Sequence, residues 1–443
     1  MTVKRSLYIA LLVAIVSACV APTACTRARS PEGTSVVVLI DFSKSFAPLT
    51  VSDARALNEV ASAIVELAAK SWSPPVRFRW ARIEEASVTA KNLCGPLEFE
   101  SKLIKSDNDL DRAGLRQKLA ECASTVLRAS QDTSQQSSFT DISGAIALAA
   151  QDRENTGEKI LVIFSDFLED QRAGLQPVDF QLHGERVLLI HRPGLDLRGL
   201  TVGEYMARID EWAGKLRLRG AKEVTSIPVF GITEHRVANA LAPPAKPDGT
   251  AVSIVTSLPD TAEADVLLHV ARAISASSPK WIAPVTVTWS AIEQSALVAR
   301  WMPPVELQSR LIKRMGLLSP ADEFAIQLEQ CARGIARFPP TVEAADLPGA
   351  LALHRQVAAL DSRRLLLVLS DFRGALVDGA APVDLSGTEI AMIAAPSRSD
   401  TAHQQNYFQR LKLWEQAFRE CGARVVCRIQ MSDLTAGAIS RCL

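Results

Sequence analysis

The chain carries no surplus of either charge: 49 lysines and arginines stand against 49 aspartates and glutamates in 443 residues. With no net field to draw a polyanion, nucleic acid is not an expected partner. Histidine is scarce, and His183, His191, His235, His269, His354 and His403 are scattered with no H-E-x-x-H among them. The eight cysteines include no C-x-x-C, so the spacings that mark a zinc site are missing. There is also no G-x-S-x-G elbow, no G-x-x-x-x-G-K-S/T phosphate loop and no G-x-G-x-x-G turn. Those absences remove the sequence marks of serine hydrolases, P-loop nucleotidases and dinucleotide-binding enzymes, and no enzyme is expected. What remains is globular in character, with 48% apolar and 22% charged residues. The length is too great for one ordinary core and points to two domains.

The N-terminus reads as a targeting segment. Lys4 and Arg5 precede an apolar run from Leu7 to Val16, too short to span a bilayer as a helix. V-S-A-C follows at Val16 to Cys19 and resembles a bacterial lipobox. The resemblance implies a signal peptide over 1–18, a lipid on the Cys19 thiol and a linker over 19–30. The protein would then be held on a membrane of the cell envelope by its anchor. Ordinary secretion after Ala18, or use of Cys25, is the alternative. In an oxidising compartment Cys94, Cys122, Cys331, Cys421, Cys427 and Cys442 form an even set expected to make disulfides, with Cys94 to Cys122 one pairing.

The chain repeats itself. Pro31-Glu32-Gly33-Thr34 returns as Pro247-Asp248-Gly249-Thr250, 216 positions on. VRFRWARIEE from Val76 returns as VTVTWSAIEQ from Val285, and Cys122 returns as Cys331. DISGAIAL at Asp141 matches DLPGALAL at Asp346, and the strand-like runs ending in S-D-F match at Asp166 and Asp371. Trp212 matches Trp414, by which point the offset has drifted to 202. Matches in constant order with a slowly shrinking offset mean a tandem duplication with small deletions in the second copy. The expected domains are 31–237 and 248–443, joined by a Pro-rich linker over 238–247.

Within the first copy, apolar runs alternate with helical periods. Strands are expected at Ser35 to Asp41, Val76 to Glu84, Lys159 to Phe164, Arg186 to His191 and Val224 to Phe230. Helices are expected at Ser52 to Ser71, Arg112 to Leu127, Ile142 to Gln151 and Val202 to Arg219, with Ser52 and Asp141 as caps. Strands apolar throughout and alternating with helices belong to a mostly parallel sheet covered on both faces, so the fold class is α/β with two tandem Rossmann-like domains. Ligands of such sheets sit beyond the carboxyl ends of the strands. There lie Asp41, Ser43 and Ser45, in D-x-S-x-S after the first strand, and Ser165-Asp166 after a later one, while Thr140 precedes a helix. Two carboxylates and several hydroxyls, with no His or Cys, are hard oxygen donors of low total charge and suit Mg²⁺.

This combination resembles the von Willebrand factor A domain and its metal-ion-dependent adhesion site. The resemblance implies that Ser43, Ser45 and Thr140 act as direct or near-direct hydroxyl ligands and that Asp41 and Asp166 bind largely through water. It also implies a protein partner whose acidic residue completes the coordination. One departure is Phe167, where the family commonly has glycine after the last Asp; its bulk is expected to narrow a partner's approach. The bland alternative is that these Asp and Ser residues only cap helices and turns. In the second copy Ser257, Pro259, Thr261 and Ala345 fall at the matching positions and only Asp371 survives, so that domain is expected to keep the fold, bind no cation and serve structure or interaction. A Mg²⁺-dependent phosphatase-like hydrolase and an envelope scaffold with a vestigial site are the competing functions. The hydrolase would need a second carboxylate where Ser43 stands.

Overall fold

Gly33 opens the first sheet for a steric reason. Its φ of 94° is left-handed, and a Cβ there would meet the Pro75 carbonyl oxygen at 2.4 Å, so only glycine fits. Gly249 repeats the arrangement, with φ 84° and Pro284 O at 2.7 Å. Thr34 N and Thr250 N then donate to those same proline carbonyls at 3.0 and 2.9 Å. The repeated P-x-G-T is thus a shared strand start. The computed structural model describes residues 33–85, 92–100, 105–151, 157–170, 178–193, 200–242, 249–257, 264–292, 300–307, 319–337, 346–358, 363–373, 383–395 and 404–442. The expected signal peptide over 1–18, Cys19 with its lipid, and the linker over 19–30 lie outside them.

The first unit runs β1 (Thr34–Asp41), α1 (Val51–Lys70), β2 (Val76–Ile83), β3 (Asn92–Phe99), α2 (Lys105–Gln131), α3 (Ile142–Gln151), β4 (Glu158–Ser165), β5 (Arg186–His191), α4 (Val202–Leu218), β6 (Glu223–Pro228) and α5 (Glu234–Leu241). Its sheet has the order β3-β2-β1-β4-β5-β6, with β3 antiparallel to β2 and the other neighbours parallel. Successive side chains of a strand face opposite ways, and β1 divides accordingly. Val36, Val38 and Ile40 join a core built with α1, α2 and α5, while Val37 and Leu39 join a second core built with α3 and α4. Burial on both faces is why these strands read as unbroken apolar runs.

The second unit runs β7 (Thr250–Ser257), α6 (Ala264–Ser277), β8 (Val285–Ala291), β9 (Arg300–Trp301), β10 (Val305–Leu307), α7 (Pro320–Ala336), α8 (Leu347–Val357), β11 (Arg363–Ser370), β12 (Thr388–Ala394), α9 (Gln404–Glu420), β13 (Val425–Gln430) and α10 (Ala436–Cys442). Its order is β10-β8-β7-β11-β12-β13, with β9 also paired to β8. The fold is α/β, with two mixed, mostly parallel sheets flanked by helices, as two Rossmann-like units.

Several expectations need correction. Edge strand β3 was not anticipated, because Gly95 and Pro96 interrupt it and both residues weaken a strand pattern. Residues 238–241, expected in the linker, belong to α5, whose Val237, Ala240 and Leu241 are buried in the first core. The cap of α1 is Thr50, not Ser52, and forms a capping box with Asp53. Cys94 pairs with Cys122 as expected, and Cys427 with Cys442, but Cys331 and Cys421 are free thiols. Cys331 lacks a mate because Met302 occupies the place of Cys94: Cys94 lies opposite Trp80 across the strand pair, whereas Met302 N donates to Trp289 O at 2.8 Å.

The two units meet along α4, β6 and α8. Phe230 stacks on Trp301 with ring centroids 3.4 Å apart, and Trp301 lies 4.7 Å from the His354 ring. Val202 and Phe230 share a buried cluster with Leu347, Leu351 and Val357. Among the described residues no helix is long and apolar enough to cross a membrane.

Candidate functional site

Asp41 is the last residue of β1, where backbone pairing ends and the chain turns across the sheet edge. The loop after it is held by its aromatic members: Phe42 and Phe46 point into the first core, both fully buried, and leave Ser43 and Ser45 facing the site side. Ser43 N donates to Asp41 Oδ1 at 2.8 Å, and Phe46 N and Ala47 N both donate to Ser43 O. The alternation of D-x-S-x-S-F thus splits polar from apolar on a single turn.

Two further loops are stitched to this one through the backbone. Lys44 N donates to Ser137 O at 2.8 Å and Ser137 N to Phe42 O at 2.9 Å. Three residues on, Thr140 N donates to Asp170 O at 2.7 Å and Asp170 N to Thr140 O at 3.2 Å. The loop bearing Thr140 is thereby tied to the loop of Asp41 and to that of Asp166. Asp141 caps α3 through Gly144 N at 2.7 Å, as expected.

A continuous polar chain results. Ser165 Oγ donates to Asp41 Oδ2 at 2.6 Å, Ser43 Oγ lies 3.0 Å from Ser45 Oγ, and the Ser45 hydroxyl is near enough to the Asp166 carboxylate to favour its charge. Leu168 N donates to Asp166 Oδ1 at 3.0 Å, whereas Asp166 Oδ2 is buried without a partner. Of the five residues marked in sequence, Asp41, Ser43, Ser45 and Asp166 come together in this chain, and Thr140, also buried, sits in the adjoining loop. Both carboxylates are fully buried. Asp41 is pushed up to about 7, first by burial and then by repulsion from Asp166. Asp166 is raised by burial, against the pull of Leu168 N, Ser45, Arg208 and Arg192.

Sequence reasoning missed two members. Ser165 was noted only as the neighbour of Asp166, yet it bridges the two motifs. Arg192 follows β5; its Nε donates to both oxygens of Asp53, Nη2 donates to Phe46 O, and its guanidinium lies 4.1 Å from the centre of the Phe46 ring. It clamps the serine loop to the start of α1. The only sequence signal for it was its place at the carboxyl end of a strand.

The expectation for Phe167 is also corrected. Its ring is buried and packs beside Trp212 at 6.1 Å, so it does not narrow the approach. Its backbone nevertheless takes φ 58°, the conformation that glycine would accept more readily. Phe167 N donates to Ser165 Oγ, and Phe167 O accepts from Trp212 Nε1 at 3.1 Å. Phe372 reproduces all of this, with φ 58°, Ser370 Oγ and Trp414 Nε1.

A cation fits the donor set on electrostatic grounds. Two buried carboxylates repel one another, one oxygen has no partner, and the remaining donors are hydroxyls, which suits a hard divalent ion. Among the described residues no group of three or more His, Cys, Asp or Glu side chains could hold a metal, so the hydroxyls would be essential. The second unit differs. Ser257 ends β7 where Asp41 ends β1, and Arg373 Nε lies 3.1 Å from Asp371 Oδ2, giving that carboxylate a cation from its own chain. Pro259, Thr261 and Ala345 lie outside the described residues.

No protein-family model matches the chain, and no curated protein matches it. Among solved structures it is similar to proximal thread matrix protein 1 from the mussel byssus, in its second crystal form. The identity is 10%, the match covers 88% of this chain and 96% of that one, and the TM-score is 0.27, too low to bear on the site.

Proposed function

We propose that the chain is a lipid-anchored protein of the cell envelope that grips a protein partner through a Mg²⁺-type cation held by its first unit, a von Willebrand factor A domain by resemblance. Ser43, Ser45 and Thr140 would supply hydroxyls, and Asp41 and Asp166 the negative charge. The cation, when bound, supplies an open coordination position for an acidic residue of the partner. One observation carries this reading: two buried carboxylates, one at the end of β1 and one just after β4, repel one another with Asp166 Oδ2 unpartnered. Buried charge of one sign is costly unless a counter-charge joins it. The second unit, whose Asp371 is already paired with Arg373, would serve structure or interaction. Phosphatase-like hydrolysis has no support from the site, since Ser43 stands where a second catalytic carboxylate would be needed.

The test is capture of partners from detergent-solubilised membranes in Mg²⁺ and in EDTA, with wild type and Asp41→Ala. Capture is expected in Mg²⁺ alone and is lost in Asp41→Ala, whose circular dichroism stays that of the wild type. Equal capture in chelator overturns the reading. Cys19→Ala is expected to move the protein from the membrane fraction to the soluble fraction; retention on the membrane removes the anchor.

A further inference from the structure

Six residues before Asp41, at the other end of β1, the first sheet carries an opening of a different character. The rise of a strand puts it about 20 Å from the candidate cation site. Arg77 and Arg79 are alternate residues of β2 and face the same side. They stand in register with Ser35 and Val37 of β1, and Val37 belongs to the core beneath α3 and α4. On the β4 side the last turn of α3 closes this face. Ala149 and Ala150 leave a space of only about 20 Å³ over Ser35, Val37 and Lys159, the size of one water. On the β3 side the face stays open as a cavity of about 390 Å³, whose lining includes Ser35, Val37, Arg77, Arg79, Asn92 and Pro96. That volume lies in the range of small-molecule sites.

The duplication supplies an internal control. Thr286 and Thr288 stand at the places of Arg77 and Arg79, and both are fully buried, whereas the two arginines are half-buried. Thr286 Oγ1 lies 3.4 Å from Glu306 Oε1, and Thr288 Oγ1 lies 3.5 Å from Ser253 Oγ. The second copy therefore closes the same face with small hydroxyl side chains, and the architecture does not call for arginine at either place. In the first copy Glu98 Oε2 lies 3.5 Å from Arg77 Nε at the cavity rim. A guanidinium carries five N–H donors in a planar fork and serves more than one partner at once. Two such forks on one wall match the paired oxygens of a carboxylate or a phosphate.

We propose that this cavity is a binding site for a small organic oxyanion, held by the guanidiniums of Arg77 and Arg79. Ser35 and Asn92 supply further hydrogen bonds, and Val37 and Pro96 form an apolar wall for the body of the ligand. The site belongs to the first unit alone and is independent of the cation reading above.

The test is calorimetric titration of the full chain in metal-free buffer of low ionic strength, with glutarate as the carboxylate probe and glycerol 3-phosphate as the phosphate probe. Saturable binding of at least one probe is expected, and the tighter of the two assigns the head group. Arg79→Thr, which installs the residue of the second copy, is expected to weaken binding about tenfold or more while circular dichroism stays that of the wild type. Arg79→Lys keeps the charge but not the fork and is expected to bind several-fold more weakly than the wild type. Added Mg²⁺ should leave the affinity unchanged. No saturable binding of either probe overturns the proposal, as does wild-type affinity in Arg79→Thr. Binding that appears only with Mg²⁺ also overturns it, since the anion would then be reporting on the cation site. Should Arg79→Thr fail to fold, Arg79→Lys decides, and wild-type affinity there rejects recognition by the fork.

Discussion

Asp41 sets a pH dependence of definite sign. Its folded value of about 7 lies above the ordinary 3.8, so between those limits the folded protein holds a proton that the unfolded chain releases. Stability is then fully present at low pH and falls as pH rises through 7, by on the order of a few kcal/mol. Asp166 shifts in the same direction. The melting temperature in chelator is expected to be lower at pH 8 than at pH 5.5, and Mg²⁺ should raise it mainly at pH 8, as differential scanning fluorimetry would record. Phe167 poses a separate choice between backbone strain and burial. Its left-handed φ costs about 1–2 kcal/mol, while losing a buried phenylalanine side chain costs about 3–5 kcal/mol. Phe167→Gly should therefore destabilise by roughly 2–3 kcal/mol in urea unfolding; a gain in stability would mean that strain dominates. At this scale the D-x-S-x-S spacing made Asp41, Ser43 and Ser45 legible, because one short turn displays all three. Ser165 and Arg192 were not, since each acts across more than a hundred residues of chain on Asp41 or Asp53, a separation that no local spacing encodes.

Among elements, those buried on two faces were the most legible. Helix α3 and strand β5 fall where periodicity and apolar run lengths put them, at Ile142–Gln151 and Arg186–His191. β3 lies on the sheet edge with an exposed, broken pattern, so neither alternation nor a continuous apolar run marks it. Helix α5 is short, and its small residues had read as a linker. The equivalent strand pair of the second sheet, β8 with β9, also explains the free thiol of Cys331. With Met302 returned to cysteine, the geometry of Cys94 and Cys122 should recur. Met302→Cys is expected to form a disulfide with Cys331 under oxidising conditions, seen as one free thiol fewer than in the wild type under the same conditions. The gain in stability would be about 3 kcal/mol from restricting the unfolded chain.

For the molecule as a whole, the duplication was readable because both copies kept their glycines, tryptophans and strand ends. The junction was not, because it is made where the copies disagree. Phe230 corresponds to Ser432, in matching short turns, and Trp301 to Leu93, so neither aromatic has a counterpart to flag it. Trp301→Ala should remove the stack between the units at a cost of about 3–5 kcal/mol, and calorimetry is expected to resolve two unfolding transitions where the wild type gives one. The ion pair of Arg373 with Asp371 carries a last consequence. A chain with two copies of one α/β fold invites the assumption of two grips, yet one copy has satisfied its carboxylate from within. Each molecule on this account is univalent, and any crosslinking of partners along an envelope would have to arise from the crowding of many anchored chains.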